Sequence, residues 1–137
     1  MEPKPTRQWV TTGHYWEDAA GYARAVRGGD HIWVSGCTAT ELDGKPITDP
    51  AEQTRLAIDQ IERIIEKLGG SLKDVVQTRM YIRNLADIKP IALAHGERFK
   101  SVRPANMLAE VGLSSPILVE IEAEAIVGSG ERVQFVE

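Results

Sequence analysis

The sequence predicts a single α+β domain in which two helices lie on one face of a β-sheet, and three observations carry that prediction. From Leu118 to Val127 the residues alternate without exception. Val119, Ile121, Ala123, Ala125 and Val127 form an apolar face; Leu118, Glu120, Glu122, Glu124 and Ile126 form the other, as in a strand buried on one side. From Pro50 to Leu68 apolar residues recur at helical spacing behind a capping residue. Finally, the elements run strands, helix, strand, helix, two strands, an order that places both helices against one sheet.

Taken in order, Gln8 to Thr12 reads as a short strand and Tyr22 to Arg27 as a second, with residues 1–20 as an N-terminal strand and loop. Gly28-Gly29-Asp30 is a turn, and Ile32 to Gly36 a third strand that pairs back on the second as a hairpin. Asp43-Gly44 marks another tight turn. The first helix has Asp49 as its cap, Pro50 at its first position and Glu52 where a capping-box acid belongs. Its stripe is Ala57, Ile61, Ile64 and Leu68, and Gly69-Gly70 ends it. Val75 to Ile82 is a strand with Val76, Met80 and Ile82 on one face and Gln77, Arg79 and Tyr81 on the other. The second helix starts near Asp87, runs to about Lys100, and carries the stripe Ile88, Ile91, Ala92, His95 and Phe99. Met107 to Val111 and Leu118 to Val127 close the sheet. Two helices cover one side only, so Leu118, Tyr81 and Ile126 are expected on an open face that a homo-oligomer would bury.

A chain of 137 residues is one domain, 1–137, with 42% apolar and 26% charged residues, ordinary for a globular protein. Its net charge of −4, with no basic run, argues against a nucleic-acid partner. The single cysteine, Cys37, precludes an intrachain disulfide and fits a reducing compartment. No signal-like start or membrane-length apolar run is present, so the expectation is a cytoplasmic protein without a membrane partner. His14, His31 and His95 lack neighbours at ligand spacing, so neither a metal site nor a cofactor is expected.

The segments Gly21-Tyr22-Ala23-Arg24-Ala25-Val26, Val34-Ser35-Gly36, Glu52-Gln53-Thr54-Arg55, Asp74-Val75-Val76, Arg103-Pro104-Ala105 and Val119-Glu120-Ile121-Glu122-Ala123 occur in a characteristic order and spacing. Together they resemble the Rid family (reactive intermediate deaminases, also called the YjgF family or L-PSP endoribonucleases) over roughly Tyr22 to Val127. The resemblance implies a chorismate-mutase-like subunit, with one mixed six-stranded sheet and two helices on one face, assembled into a homotrimeric barrel with ligand clefts between subunits. It implies hydrolysis of enamines or imines to a carbonyl compound and ammonia. It further implies an arginine two residues after the proline of the Arg-Pro-Ala segment, gripping a substrate carboxylate, and a glutamate on the last strand that positions water or shuttles protons. A tyrosine of the first hairpin and backbone amides beside the Ser-Gly turn complete the implied pocket.

Carried onto this sequence, the catalytic glutamate is Glu120, and the substrate-binding residues are Tyr22, Ser35 and Gly36. The arginine does not carry over: Asn106 holds its position. Losing a charge-assisted bond, about 1.5–3 kcal/mol, weakens carboxylate capture by roughly ten- to a hundredfold, so 2-aminoacrylate is expected to react slowly. Cys37 and Arg24 stand where glutamines are common, and Ala92 and His95 where asparagine and tyrosine are, so the pocket reads as rebuilt for another small-molecule ligand.

For each candidate a plainer reading stands beside the functional one. Glu120 can instead satisfy backbone amides at a subunit interface, and Glu122 and Glu124 can be solvated or paired there. Arg24 can supply the missing cation or be a solvated edge-strand residue. Cys37 fits a small buried apolar residue better than a nucleophile, and His95 a core or interface histidine better than a base. At the level of function, the alternative to imine hydrolysis is a non-catalytic metabolite-binding or regulatory protein. Ribonuclease activity fits an acidic chain poorly.

Overall fold

The computed structural model describes residues 5–137. A six-stranded sheet is built from β1 (Arg7–Val10), β2 (Ala25–Gly28), β3 (His31–Cys37), β6 (Val75–Ile82), β7 (Ala105–Glu110) and β8 (Val119–Ile126), in spatial order β1-β2-β3-β8-β6-β7. β4 (Glu41–Leu42) and β5 (Lys45–Pro46) form a separate small hairpin around Asp43-Gly44, both with positive φ. Only β6 and β7 pair in parallel, which makes the sheet mixed and requires a crossover; helix α3 (Ile88–Phe99) supplies it. The fold is therefore the α+β arrangement expected, with two main helices.

Helix α2 (Pro50–Lys67) starts as the sequence indicates: the Asp49 carboxylate accepts from the Glu52 amide at 3.2 Å. The reciprocal half of the capping box is not made, because Glu52 turns to Arg55 instead. Ala57, Ile58, Ile61, Ile64, Ile65 and Leu68 are buried against Ile32, Ile121, Ala123 and Ala125 of the sheet's apolar face. The polar Gln53 and Thr54 are buried with them, each hydrogen-bonded to backbone carbonyls.

Three expectations need correction. Residues 15–20 are not loop: Tyr15–Ala20 is a short helix, α1, closed by Gly21 in the left-handed region at φ 76°. The Glu17 carboxylate anchors it, accepting from the Thr12 amide and hydroxyl at 2.7 and 2.6 Å. Tyr22 completes that helix end, its amide donating to the Glu17 carbonyl, so β2 proper runs from Ala25, preceded by Arg24, whose backbone already bonds to Val10 and Ser35. In β6 a bulge against β8 between Val75 and Gln77 puts Val75, not Val76, in the core with Met80 and Ile82. In α3 the inward residues are Ile91, Ala94 and Phe99; Ile88 lies in the exposed first turn and Ala92 on the outer side.

The opposite sheet face carries Glu120, Glu122 and Glu124, all half-buried, and neither α2 nor α3 covers it. Two of the carboxylates already have donors. Tyr81 donates to Glu122 at 2.6 Å, Arg79 reaches Glu124 at 3.0 Å, and His31 Nε2 lies 3.3 Å from Glu124. His31 stacks on Trp33 with centroids 3.9 Å apart. The Glu122 carboxylate, by accepting from it, holds the Tyr81 phenol above its ordinary pKa. Among the described residues, no helix is long and apolar enough to cross a membrane.

Candidate functional site

Glu120 is the second residue of β8, opposite Tyr81 of β6, and its side chain leans toward β3. There the ladder is interrupted: Val34 pairs with Ala123 and Cys37 with Ile121, so Ser35 and Gly36 form a bulge. The bulge and the missing Cβ of Gly36 together make the slot in which the Glu120 carboxylate lies. A Cβ on Gly36 would collide with Oε1 and stand 3.0 Å from Cγ and Cδ. The Ser-Gly pair thus has a steric reason to face this glutamate.

The first hairpin closes around the same slot. Arg24 Nη2 donates to the Gly36 carbonyl at 2.7 Å, and the Ser35 hydroxyl donates to the Ala23 carbonyl at 2.7 Å. The Arg24 guanidinium also lies 5.7 Å from the centroid of the Tyr22 ring, within cation–π range, and 3.9 Å from Glu17. Hydrogen bonds from Thr12, chiefly, hold the Glu17 carboxyl below the usual range despite its burial. Arg24 is therefore a braced residue facing a buried counter-charge. A cleft of about 930 Å³ opens beside it, lined by Trp9, Tyr15, Glu17, Tyr22 and Ser35 among others. Glu120 is not on its wall; Tyr22 and Ser35 are the candidates it includes.

Cys37 is 1% exposed and its side chain belongs to the helix-side core. Burial pushes its thiol up to about 11, which keeps it protonated at neutral pH; only its backbone borders the bulge. Tyr22, Arg24, Ser35, Gly36 and Glu120 are brought together, and Cys37 flanks them from the core.

Asn106 is elsewhere within the chain. It lies on β7, the edge strand, with β6 between it and β8. Its Nδ2 donates to the Thr78 hydroxyl at 3.0 Å and approaches the Thr78 carbonyl at 3.5 Å. The same hydroxyl meets His95 Nε2 at 2.9 Å. His95, packed on Phe99 with ring centroids 4.6 Å apart, is held by burial below its ordinary pKa of 6.5.

That shift fixes a pH dependence. The unfolded chain protonates His95 near pH 6.5, the folded chain only lower, so the contribution of this group is constant above that value and is lost as pH drops below it. The expected result is a melting temperature that declines between pH 6.5 and 5 in the wild type and declines less in His95→Gln, read by circular dichroism.

Sequence reasoning passed over Thr12, Glu17 and Thr78. Thr12 and Glu17 stand on no periodic stripe; Thr78 shares the buried alternation of Met80 and Ile82, but its hydrogen bonds to Asn106 and His95 are what matter, and spacing cannot show those.

The Endoribonuclease L-PSP family profile matches residues 12–127. An uncharacterised protein of Streptomyces coelicolor is 37% identical over 125 residues, covering 88% of this chain and 92% of the relative. The 3-aminoacrylate deaminase RutC of Acinetobacter baylyi is 35% identical over 109 residues, covering 77% of this chain and 86% of that protein. Among solved structures, a member of the YjgF/YER057c/UK114 family from Mycobacterium tuberculosis superposes with a TM-score of 0.81 at 38% identity, covering 88% of this chain and 99% of the other. With sequence profile, relatives and fold in agreement, the chain belongs to the Endoribonuclease L-PSP family, the YjgF/Rid family.

Proposed function

We propose that the chain forms a homotrimer whose inter-subunit clefts bind a small imine- or carbonyl-bearing metabolite, and that it hydrolyses an enamine or imine there. The observation that carries this reading is the seat of Glu120: a half-buried carboxylate held over a glycine bulge, on the sheet face that α2 and α3 leave uncovered. Trp33, Met107 and Ile126, at 44%, 59% and 40% exposure, add apolar area for a second copy to bury. Such an assembly sets the edge strand bearing Asn106 against a neighbour's first hairpin, and so completes a site that one chain leaves divided. The deaminase name of the Acinetobacter relative supports the reaction class.

An enamine first tautomerises to its imine. Glu120 accepts a proton from water as the oxygen attacks the imine carbon and returns it to nitrogen, giving a carbinolamine. It then takes the carbinolamine hydroxyl proton and passes it to nitrogen as the C–N bond breaks, so ammonia leaves and the carbonyl compound remains. The experiment supplies 2-aminoacrylate, 2-aminomuconate and 2-aminoacrylamide and follows ammonia. Wild type is expected to release it from at least one of these, with Glu120→Ala slower by roughly 10²–10⁴. Equal rates would remove Glu120 from the chemistry.

One observation favours a second reading, a binding protein without turnover. Arg24 faces Glu17, and Arg79 faces Glu122 and Glu124, so both cations nearest the site are already matched. In that case ligands raise the melting temperature and no ammonia appears.

A further inference from the structure

The Asn106 side chain presents only half of its amide. Both interactions of Nδ2 go to Thr78, one to the hydroxyl at 3.0 Å and one to the main-chain carbonyl at 3.5 Å. A carbonyl oxygen can only accept, so the nitrogen, not the oxygen, belongs on that side. The Thr78 hydroxyl has a single proton. It accepts from Asn106 and meets His95 Nε2 at 2.9 Å, donating there in the tautomer that carries the ring proton on Nδ1. Burial lowers the His95 pKa and so favours the neutral ring, in which one nitrogen accepts. Turning the amide over would set Oδ1 against the Thr78 carbonyl, acceptor against acceptor. Thr78 is fully buried, so no water relieves that conflict, whereas Asn106 is exposed. Among the described residues no donor reaches Oδ1. Oδ1 is therefore the end of the Asn106 amide left without a partner, an acceptor on an exposed edge strand.

We infer that Asn106 meets the ligand as a hydrogen-bond acceptor, and that the substrate carries a neutral N–H donor group, a carboxamide, at the wall where Asn106 stands. This rests on the inter-subunit site proposed above. A carboxylate there would set acceptor against acceptor with no proton to share; a carboxamide N–H₂ matches Oδ1. Thr78 is then a positioning residue: it touches no ligand and decides which end of the amide does.

The test measures binding of pyruvate and pyruvamide, which differ only in carboxylate against carboxamide, by calorimetry on the assembled protein. Wild type is expected to bind pyruvamide more tightly by roughly tenfold. Thr78→Val keeps the volume and removes the hydroxyl, so the amide can turn and the ratio of the two dissociation constants moves toward one. A merely structural role of Thr78 would weaken both ligands alike and leave the ratio unchanged. Asn106→Arg, on an exposed edge, reverses the preference. Where either compound binds too weakly to measure, the same ratio is read from kcat/KM for 2-aminoacrylamide against 2-aminoacrylate. Wild type favouring pyruvate, or binding both equally, overturns the inference and leaves the site standing. Wild type that binds neither and releases no ammonia from any enamine overturns the site, and the inference with it.

Discussion

Gln53→Ala is expected to lower the melting temperature by roughly 10–20 °C, a loss of about 3–5 kcal/mol. Gln53 is wholly buried in the first turns of α2, yet its partners lie in two other segments. Its Nε2 donates to the carbonyls of Ile47 at 2.7 Å and Pro116 at 3.0 Å, and its Oε1 accepts from the Leu118 amide at 2.9 Å. Truncation leaves three backbone groups without these partners and opens a cavity as well, the combination that yields the largest single-site effects. Glutamate does not substitute, since a carboxylate cannot donate to two carbonyls. Leu118 begins the approach to β8, so the loss also loosens the strand that carries Glu120. Calorimetric scans of Gln53→Ala and Gln53→Glu are the check. A shift under about 3 °C in both would show that water replaces the amide and that the three bonds are not what holds this junction.

The second large effect falls on activity rather than folding. In Gly36→Ala the new methyl occupies the volume of the Glu120 carboxylate. The obstructing atoms are the far end of a flexible side chain, not backbone, so the carboxylate swings away and the strand keeps its place. The φ of Gly36 is not in the positive region, so alanine adds no backbone strain there. A displacement of about 1 Å at a reacting group is enough for roughly a hundredfold loss in rate. Gly36→Ala is therefore expected to melt within a few degrees of wild type while its ammonia-releasing rate approaches that of Glu120→Ala. Full activity in this variant would detach the slot from the chemistry.

The fold was largely legible because its main signals are local. The cap and stripe of α2 and the strict alternation of β8 each fall within one segment, where spacing alone assigns the buried side. The failures mark where tertiary contacts override that spacing. Helix α1 is six residues long and hangs on the Thr12–Glu17 pair, which no periodicity announces. The bulge at Val75 moves the buried position by one residue, and only the partner strand determines it. The site was legible only in part. Tyr22, Ser35, Gly36 and Glu120 gather because hairpin and final strand are neighbours in the sheet, a relation the family resemblance carried and composition did not. The orientation of Asn106 was beyond reach, since it depends on a threonine of β6 and a histidine of α3 meeting at one hydroxyl.

The place of β8 between β3 and β6 has a consequence for biosynthesis. His31 pairs with Ile126, so the middle of the sheet joins an early strand to the last one, with both long helices in between. A nascent polypeptide leaving the ribosome presents the apolar side of α2 well before the strand that will cover it has been translated. Until then the first hairpin and the α3 crossover cannot share a core. The central sheet of this domain thus closes only once β8 has emerged, and until then the apolar side of α2 has β3 as its only long strand neighbour among the described residues.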